Sequence, residues 1–176
     1  EAAAAAVGMP WEEAVEELVY EPLGMTHTSS RYDDFLTREN RADIHAFVDG
    51  DFQPVFARDP DPQAPAGGVS SNVLDLAVWM NTVLAGGEHD GEQVFDPAAL
   101  TAATTGEVVS GHPMENTWRT SLYGYGFNTE SAAGGRTVIS HSGGFVLGAA
   151  TNIRMIPSLD LGIVTLTNGA PYGLPE

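Results

Sequence analysis

A chain of 176 residues, 43% of them apolar, can bury one sizeable core, so a single domain is the default. With 24 acidic residues against 7 basic ones, a net charge of -17, its surface repels phosphate backbones and anionic membranes, which argues against nucleic-acid binding. No apolar run approaches the ~20 residues of a membrane span, and the absence of cysteine excludes disulfides, thiolate metal sites and a cysteine nucleophile. Every base is arginine, because the chain has no lysine. Thirteen acids precede position 61, whereas residues 97–176 hold five acids and three arginines, a pattern that reads as a solvated, solubilising surface.

Ala2 to Val7 is a strong helix former, and Gly8 suits its C-terminal cap. Pro10 fits the first turn of a second helix, with Glu12 and Glu13 at its positive end. Trp11, Ala14, Val15 and Leu18 then fall at i, i+3, i+4 and i+7, one apolar face that Pro22 terminates. A helix opening without a cap reads as a cut through an element. Residues 26–69 are polar and interrupted by Pro54, Pro60, Pro62 and Pro65, yet Tyr32, Phe35, Ile44, Phe47, Phe52, Val55 and Phe56 give that stretch apolar anchors to pack. Asn72 is placed to cap a helix running through Val73, Leu76, Ala77, Met80 and Leu84, with Asp75 in a capping-box position and Gly86-Gly87 as the stop. Pro97 to Thr104 reads as a further helix entered from Asp96.

From Leu122 onward the texture changes to short strand-like runs: Tyr123 to Asn128, Arg136 to His141, Phe145 to Ile156 and Leu161 to Asn168. Glycine-rich turns and the Pro157-Ser158-Leu159-Asp160 segment separate them. The last two are apolar on both alternations, as central strands covered on both faces would be. Helices first and an antiparallel sheet after predict an α+β fold.

His141-Ser142-Gly143-Gly144 sits where a candidate strand meets a glycine pair. Glycines let a ligand or another backbone approach closely. An imidazole beside a free N–H could polarise a carbonyl or orient a carboxylate; the alternative is a hairpin turn holding a hydrogen-bonded histidine. Ser70-Ser71-Asn72 reads as a helix start rather than a catalytic Ser-x-Asn. His27, His45, His89 and His112 show no paired metal-ligand spacing. Arg154 reads as a paired structural arginine, and Asp59-Pro60-Asp61-Pro62 as an acidic turn.

Six blocks of the chain resemble, in order, the serine β-lactamase, penicillin-binding protein and esterase family, in its class C-like branch. They are Glu21-Pro22-Leu23-Gly24-Met25-Thr26, Pro65-Ala66-Gly67-Gly68-Val69-Ser70-Ser71, Asp75-Leu76 with Trp79-Met80, Tyr123-Gly124-Tyr125-Gly126-Phe127, His141-Ser142-Gly143-Gly144, and Val164-Thr165-Leu166-Thr167-Asn168. The resemblance implies a β-lactamase/transpeptidase-like α+β fold, an antiparallel sheet with packed helices, of which residues 1–176 would be the C-terminal portion of one domain whose N-terminal part is missing. It implies acyl transfer to water through a serine acyl-enzyme, on a small-molecule or peptide substrate with a carbonyl, without metal or organic cofactor. Proteins of this family are often exported.

By the same resemblance, His141-Ser142-Gly143 is the family's third motif, on the strand edging the active site, and the backbone N–H of Gly144 is one donor of the oxyanion hole. Gly67 and Gly68 would shape the loop ahead of the Asn72 helix, and Tyr123 and Tyr125 would enter the sheet without a catalytic role. Two family motifs are absent. Ser-x-x-Lys cannot occur without lysine, and no Tyr-x-Asn is present. Acyl transfer needs an activated nucleophile with a base in reach, so these residues alone are expected to be inert. The rival expectation is a non-catalytic relative that binds a ligand or partner without turnover.

Overall fold

The computed structural model describes residues 2–111, 120–145 and 147–170, which fold as two compact units. Of the described residues, the first takes those within 1–79, 143–151 and 166–176, and the second those within 80–142 and 152–165.

In the first unit, helix α1 (Ala2–Val7) ends at Gly8, whose φ of 75° is the left-handed cap expected of it. Helix α2 (Trp11–Val15) runs directly into a π turn, Glu16–Tyr20, closed by Glu21 N–H donating to the Glu16 carbonyl at 2.9 Å. The π turn corrects the expected apolar face. Its extra residue rotates Leu18 out of line with Trp11 and Ala14, so Ala14 is buried while Leu18 is 52% exposed. In exchange Tyr20 is turned inward, and its hydroxyl meets Ser30 Oγ at 2.7 Å. Burial pushes the Tyr20 phenol above its ordinary value of 10.0; the Ser30 hydrogen bond opposes the shift and nearby Glu16 adds to it. A raised phenol keeps its proton in the folded state after the unfolded chain has begun to lose it. Stability should therefore hold up to about pH 10 and fall as pH rises beyond it. Alkaline titration of the unfolding midpoint checks this: Tyr20→Phe should flatten that fall.

The polar stretch after residue 26 is ordered by short elements: α3 (Tyr32–Thr37), β1 (His45–Val48), β2 (Asp51–Gln53) and α4 (Ala64–Gly67). Asp49 and Gly50 both adopt positive φ, as a two-residue Asp-Gly hairpin requires, and they set Phe47 opposite Phe52 in an edge-on ring pair 5.2 Å apart. The acidic turn has a structural task, for the Asp61 carboxylate accepts the N–H of Tyr32 at the start of α3 at 2.8 Å. The first half of helix α5 (Val73–Leu84) belongs to this unit. Asn72 caps it, accepting from the N–H groups of Leu74 and Asp75 at 2.8 and 3.0 Å. Asp75 does not simply complete the capping box. Its buried carboxylate accepts the His27 N–H at 2.9 Å and the Thr28 hydroxyl at 2.8 Å, tying the segment after Pro22 to the helix.

The second unit holds the remainder of α5, the Asp90-Gly91 hairpin β3 (Glu88–His89) and β4 (Glu92–Gln93), and α6 (Pro97–Thr104), capped by Asp96 through the Ala98 N–H at 2.7 Å. Strands β5 (Val108–Gly111), β6 (Ser121–Tyr123), β7 (Asn128–Ser131), β8 (Thr137–Phe145), β9 (Ala149–Ile156) and β10 (Leu161–Thr167) form a six-stranded sheet in which each strand neighbours the next in sequence. The pairs from β5 to β8 are antiparallel, as the α+β expectation requires. The strand β11 (Gly169–Ala170) instead pairs in parallel with β1.

Two expectations change here. The run Tyr123 to Asn128 is not one strand, because Gly124 to Phe127 form the turn between β6 and β7, with Gly126 at φ 96° and Tyr125 72% exposed. Strand β10 is not central among the described residues: it ends the strand order, and Leu161 and Ile163 are 45% and 61% exposed. Its other face is covered at Gly162, where a Cβ would stand 2.4 Å from the sulfur of buried Met80. Met155, on β9, is fully buried with Val138 and Ile139 of β8 in the core of this unit.

Candidate active site

Residues 137–145 form one continuous strand, so His141-Ser142-Gly143-Gly144 lies within β8 rather than in a turn. The glycine pair serves close approach: a Cβ on Gly143 would stand 2.9 Å from the Thr151 hydroxyl on β9. All four residues of β7 pair with Thr137–Ser140, so the half of β8 from His141 onward extends beyond the end of β7. Val138, Ile139 and Ser140 are buried, whereas His141, Ser142 and Gly144 are exposed. The strand thus passes from core to surface at His141. Because side chains alternate along a strand, His141 and Ser142 face opposite sides.

In the second unit, His141 Nε2 lies 3.1 Å from the Tyr123 hydroxyl, with the two rings 6.1 Å apart at 56°. Sequence reasoning gave Tyr123 no part in the site. Eighteen residues separate the two, and the register sets Tyr123 opposite Asn128 and Asn128 opposite Ser140, one residue short of His141. Only the length of the phenol, at the last residue of β6, bridges that offset. The adjoining Tyr-Gly-Tyr-Gly pattern was the one local hint that this strand end is tightly placed. In the first unit, Phe145 packs under the Arg58 guanidinium, 4.3 Å from the ring centroid, and against Gly67, where a Cβ would approach the ring to 2.8 Å. Gly67 thus makes room for the aromatic residue that follows the motif, and Gly68 closes α4, as the expectation of a structural role for both implies.

The other candidates have structural partners. Ser71 Oγ meets Thr28 Oγ1 at 2.7 Å and Ser70 bridges to Ser29, which supports the helix-start reading of Ser70-Ser71-Asn72. His27 contacts Thr26, His45 contacts the Asp43 carbonyl, and His89 lies 3.8 Å from Asp90. His112 is outside the described residues. Arg154 pairs with Glu130 at 3.6 Å. Among the described residues no group of three histidine, aspartate or glutamate side chains is assembled to hold a metal, and no helix is long and apolar enough to cross a membrane.

Known proteins share this arrangement of elements. The chain is 22% identical to an octameric penicillin-binding protein homologue from Pyrococcus abyssi, with a TM-score of 0.75 over 96% of this chain and 36% of that one. It is 18% identical to a class C β-lactamase from Rhodobacter sphaeroides, with a TM-score of 0.69 over 96% of this chain and 52% of that one. These likenesses show a β-lactamase/transpeptidase-like fold. In sequence it is 28% identical over 162 residues to the unguisins hydrolase ungD' of Aspergillus campestris, and 27% identical over 168 residues to the unguisins hydrolase ungD of Aspergillus violaceofuscus. Those alignments cover 86% and 87% of this chain but 28% and 29% of the relatives, so the chain spans under a third of the curated proteins it matches. The Beta-lactamase family model matches residues 1–175, and the chain belongs to that family.

Proposed function

We propose that these residues form the substrate-side part of a serine hydrolase that works by acyl transfer, on a β-lactam, ester or D-amino-acid peptide carbonyl. The observation that carries this reading is the exposed half of β8, where His141 and Gly144 follow one another on a strand that has outrun β7. There His141 binds or polarises the substrate carbonyl. The Gly144 N–H stabilises the oxyanion, and such donors commonly supply the largest single catalytic contribution. Ser142 and Gly143 contribute the main chain that spaces them. Family membership and the hydrolase names of the two curated relatives support hydrolysis as the reaction class.

The nucleophile lies elsewhere on this reading, because a chain without lysine cannot carry Ser-x-x-Lys. We expect a fluorophosphonate or penicillin probe to leave the 176-residue chain unlabelled and to label a protein in which these residues are joined to a Ser-x-x-Lys segment, read by intact mass. An adduct on the short chain would mean that it holds a nucleophile of its own. The missing motifs equally favour a second reading, a ligand-binding module without turnover. Failure of the joined protein to label would decide for that one.

A further inference from the structure

The hydrogen bond between Tyr123 and His141 fixes more than a distance. Tyr123 is half-buried and its backbone is held on both sides: it stands opposite Val108 on β5 and Asn128 on β7, and its carbonyl accepts the Glu107 N–H at 2.9 Å. The next two residues lock the strand end. Tyr125 N–H donates to the Ala103 carbonyl at 3.0 Å, and a Cβ on Gly124 would stand 2.4 Å from the carbonyl oxygens of both Ala103 and Thr105. His141 is exposed, and among the described residues the Tyr123 hydroxyl is the one hydrogen-bond partner of its imidazole. The anchored member of the pair is therefore the tyrosine, and the member it orients is the histidine.

We infer that Tyr123 is a positioning residue that holds His141 in the tautomer with its proton on Nδ1, so that Nδ1–H is the group offered to a substrate oxygen. A phenol keeps its proton well above neutrality, where an imidazole is largely neutral. Between two neutral groups the phenol is the better donor and the imidazole nitrogen the better acceptor, so the favoured bond runs from the hydroxyl to Nε2. A neutral imidazole has one N–H, so an accepting Nε2 leaves the proton on Nδ1. An Nδ1–H donor suits a carbonyl or carboxylate oxygen; an Nε2–H tautomer would turn a bare lone pair of Nδ1 toward the same oxygen and repel it. The tautomer assignment stands on the Tyr123–His141 contact and on the donor and acceptor strengths of its two groups. Its consequence for catalysis rests on the hydrolase reading given above.

Two-bond 1H–15N spectra of the 176-residue chain, labelled at histidine nitrogens and recorded at about pH 8 where imidazoles are neutral, report the tautomer directly. His141→Gln identifies the His141 signals by their loss. The expected result is an Nδ1–H pattern for His141 in the wild type and a shift toward Nε2–H in Tyr123→Phe. A wild-type spectrum with the proton on Nε2 overturns the inference, and it does so even if the variant fails to fold. A Tyr123→Phe spectrum that is folded and unchanged at His141 overturns it as well. In the hydrolase that contains these residues with a Ser-x-x-Lys segment, Tyr123→Phe should lower kcat/KM about tenfold, as loss of one oriented donor would. A shifted tautomer with unaltered kinetics would remove the positioning role. His141→Gln without kinetic effect would instead count against the hydrolase reading of His141 and leave the tautomer assignment intact.

Discussion

Gly148→Ala should destabilise the chain by about 3 kcal/mol or more, one of the largest single-methyl effects available in it. Two independent penalties meet there. The backbone sits at φ 133°, a region that side chains disfavour, and a Cβ would stand 2.3 to 2.8 Å from the main-chain atoms of His45. Neither can relax cheaply, because the opposing atoms are backbone. The His45 N–H is shared between the carbonyls of Gly148 at 3.1 Å and Asn168 at 2.7 Å, which fixes the start of β1 against the turn that follows β8. The comparison that isolates the clash is Gly50→Ala. Gly50 also has a positive φ, 90°, but open space where the methyl would go. That variant should cost about 1 kcal/mol from backbone strain alone. Denaturant midpoints of the two variants measure the difference; equal losses would mean that the close approach at His45 contributes nothing.

Asp75→Ala should cost about 3 kcal/mol, because it strands two donors rather than one interaction. Asp75 is 7% exposed and Thr28 is 8% exposed, so water is poorly placed to replace the acceptor that the Thr28 hydroxyl loses. The His27 N–H and the Thr28 hydroxyl both lose their acceptor, while Ser71 retains its contact with Thr28. Asp75→Asn keeps one acceptor oxygen and should lose less. An exposed acid such as Asp33, near the start of α3, should change stability by under about 0.5 kcal/mol when replaced by alanine. An Asp75→Ala loss as small as that of Asp33→Ala would show that the segment after Pro22 is held by other contacts.

The parts of the fold legible in the sequence are those whose causes are local. Asn72 and Asp96 each precede an apolar periodic run, and both cap the helices that follow. The Pro157 to Asp160 turn was readable for the same reason, with Asp160 taking the left-handed conformation at φ 48°. Asp49-Gly50 carried an equally local hairpin signal that a reading based on proline interruptions passed over, and Asp90-Gly91 carried the same signal outside that stretch. Other features depended on distant partners. Gly124 breaks an aromatic alternation because the carbonyls of Ala103 and Thr105, at the end of α6, press on it, and Gly143 makes room for Thr151 on the neighbouring strand. At the candidate site the motif residues were found by family pattern. Tyr123 was not, because its approach to His141 depends on a meander register and on the reach of one side chain.

A π turn holds one residue more than the α turn it replaces, so the helix through Glu16–Tyr20 absorbs that residue without changing the way its two flanks face. Losing one residue there would restore a regular helix and keep its hydrogen bonding. In a regular helix a lost residue swings the two sides by about 100° relative to one another; here the turn would take up the loss. Ala14 would stay in the interior and Tyr20 would keep its place beside Ser30. Over evolutionary time a one-residue deletion at this turn is thus a shortening without a rotation, whereas the same deletion within α1 or α2 would force them to repack.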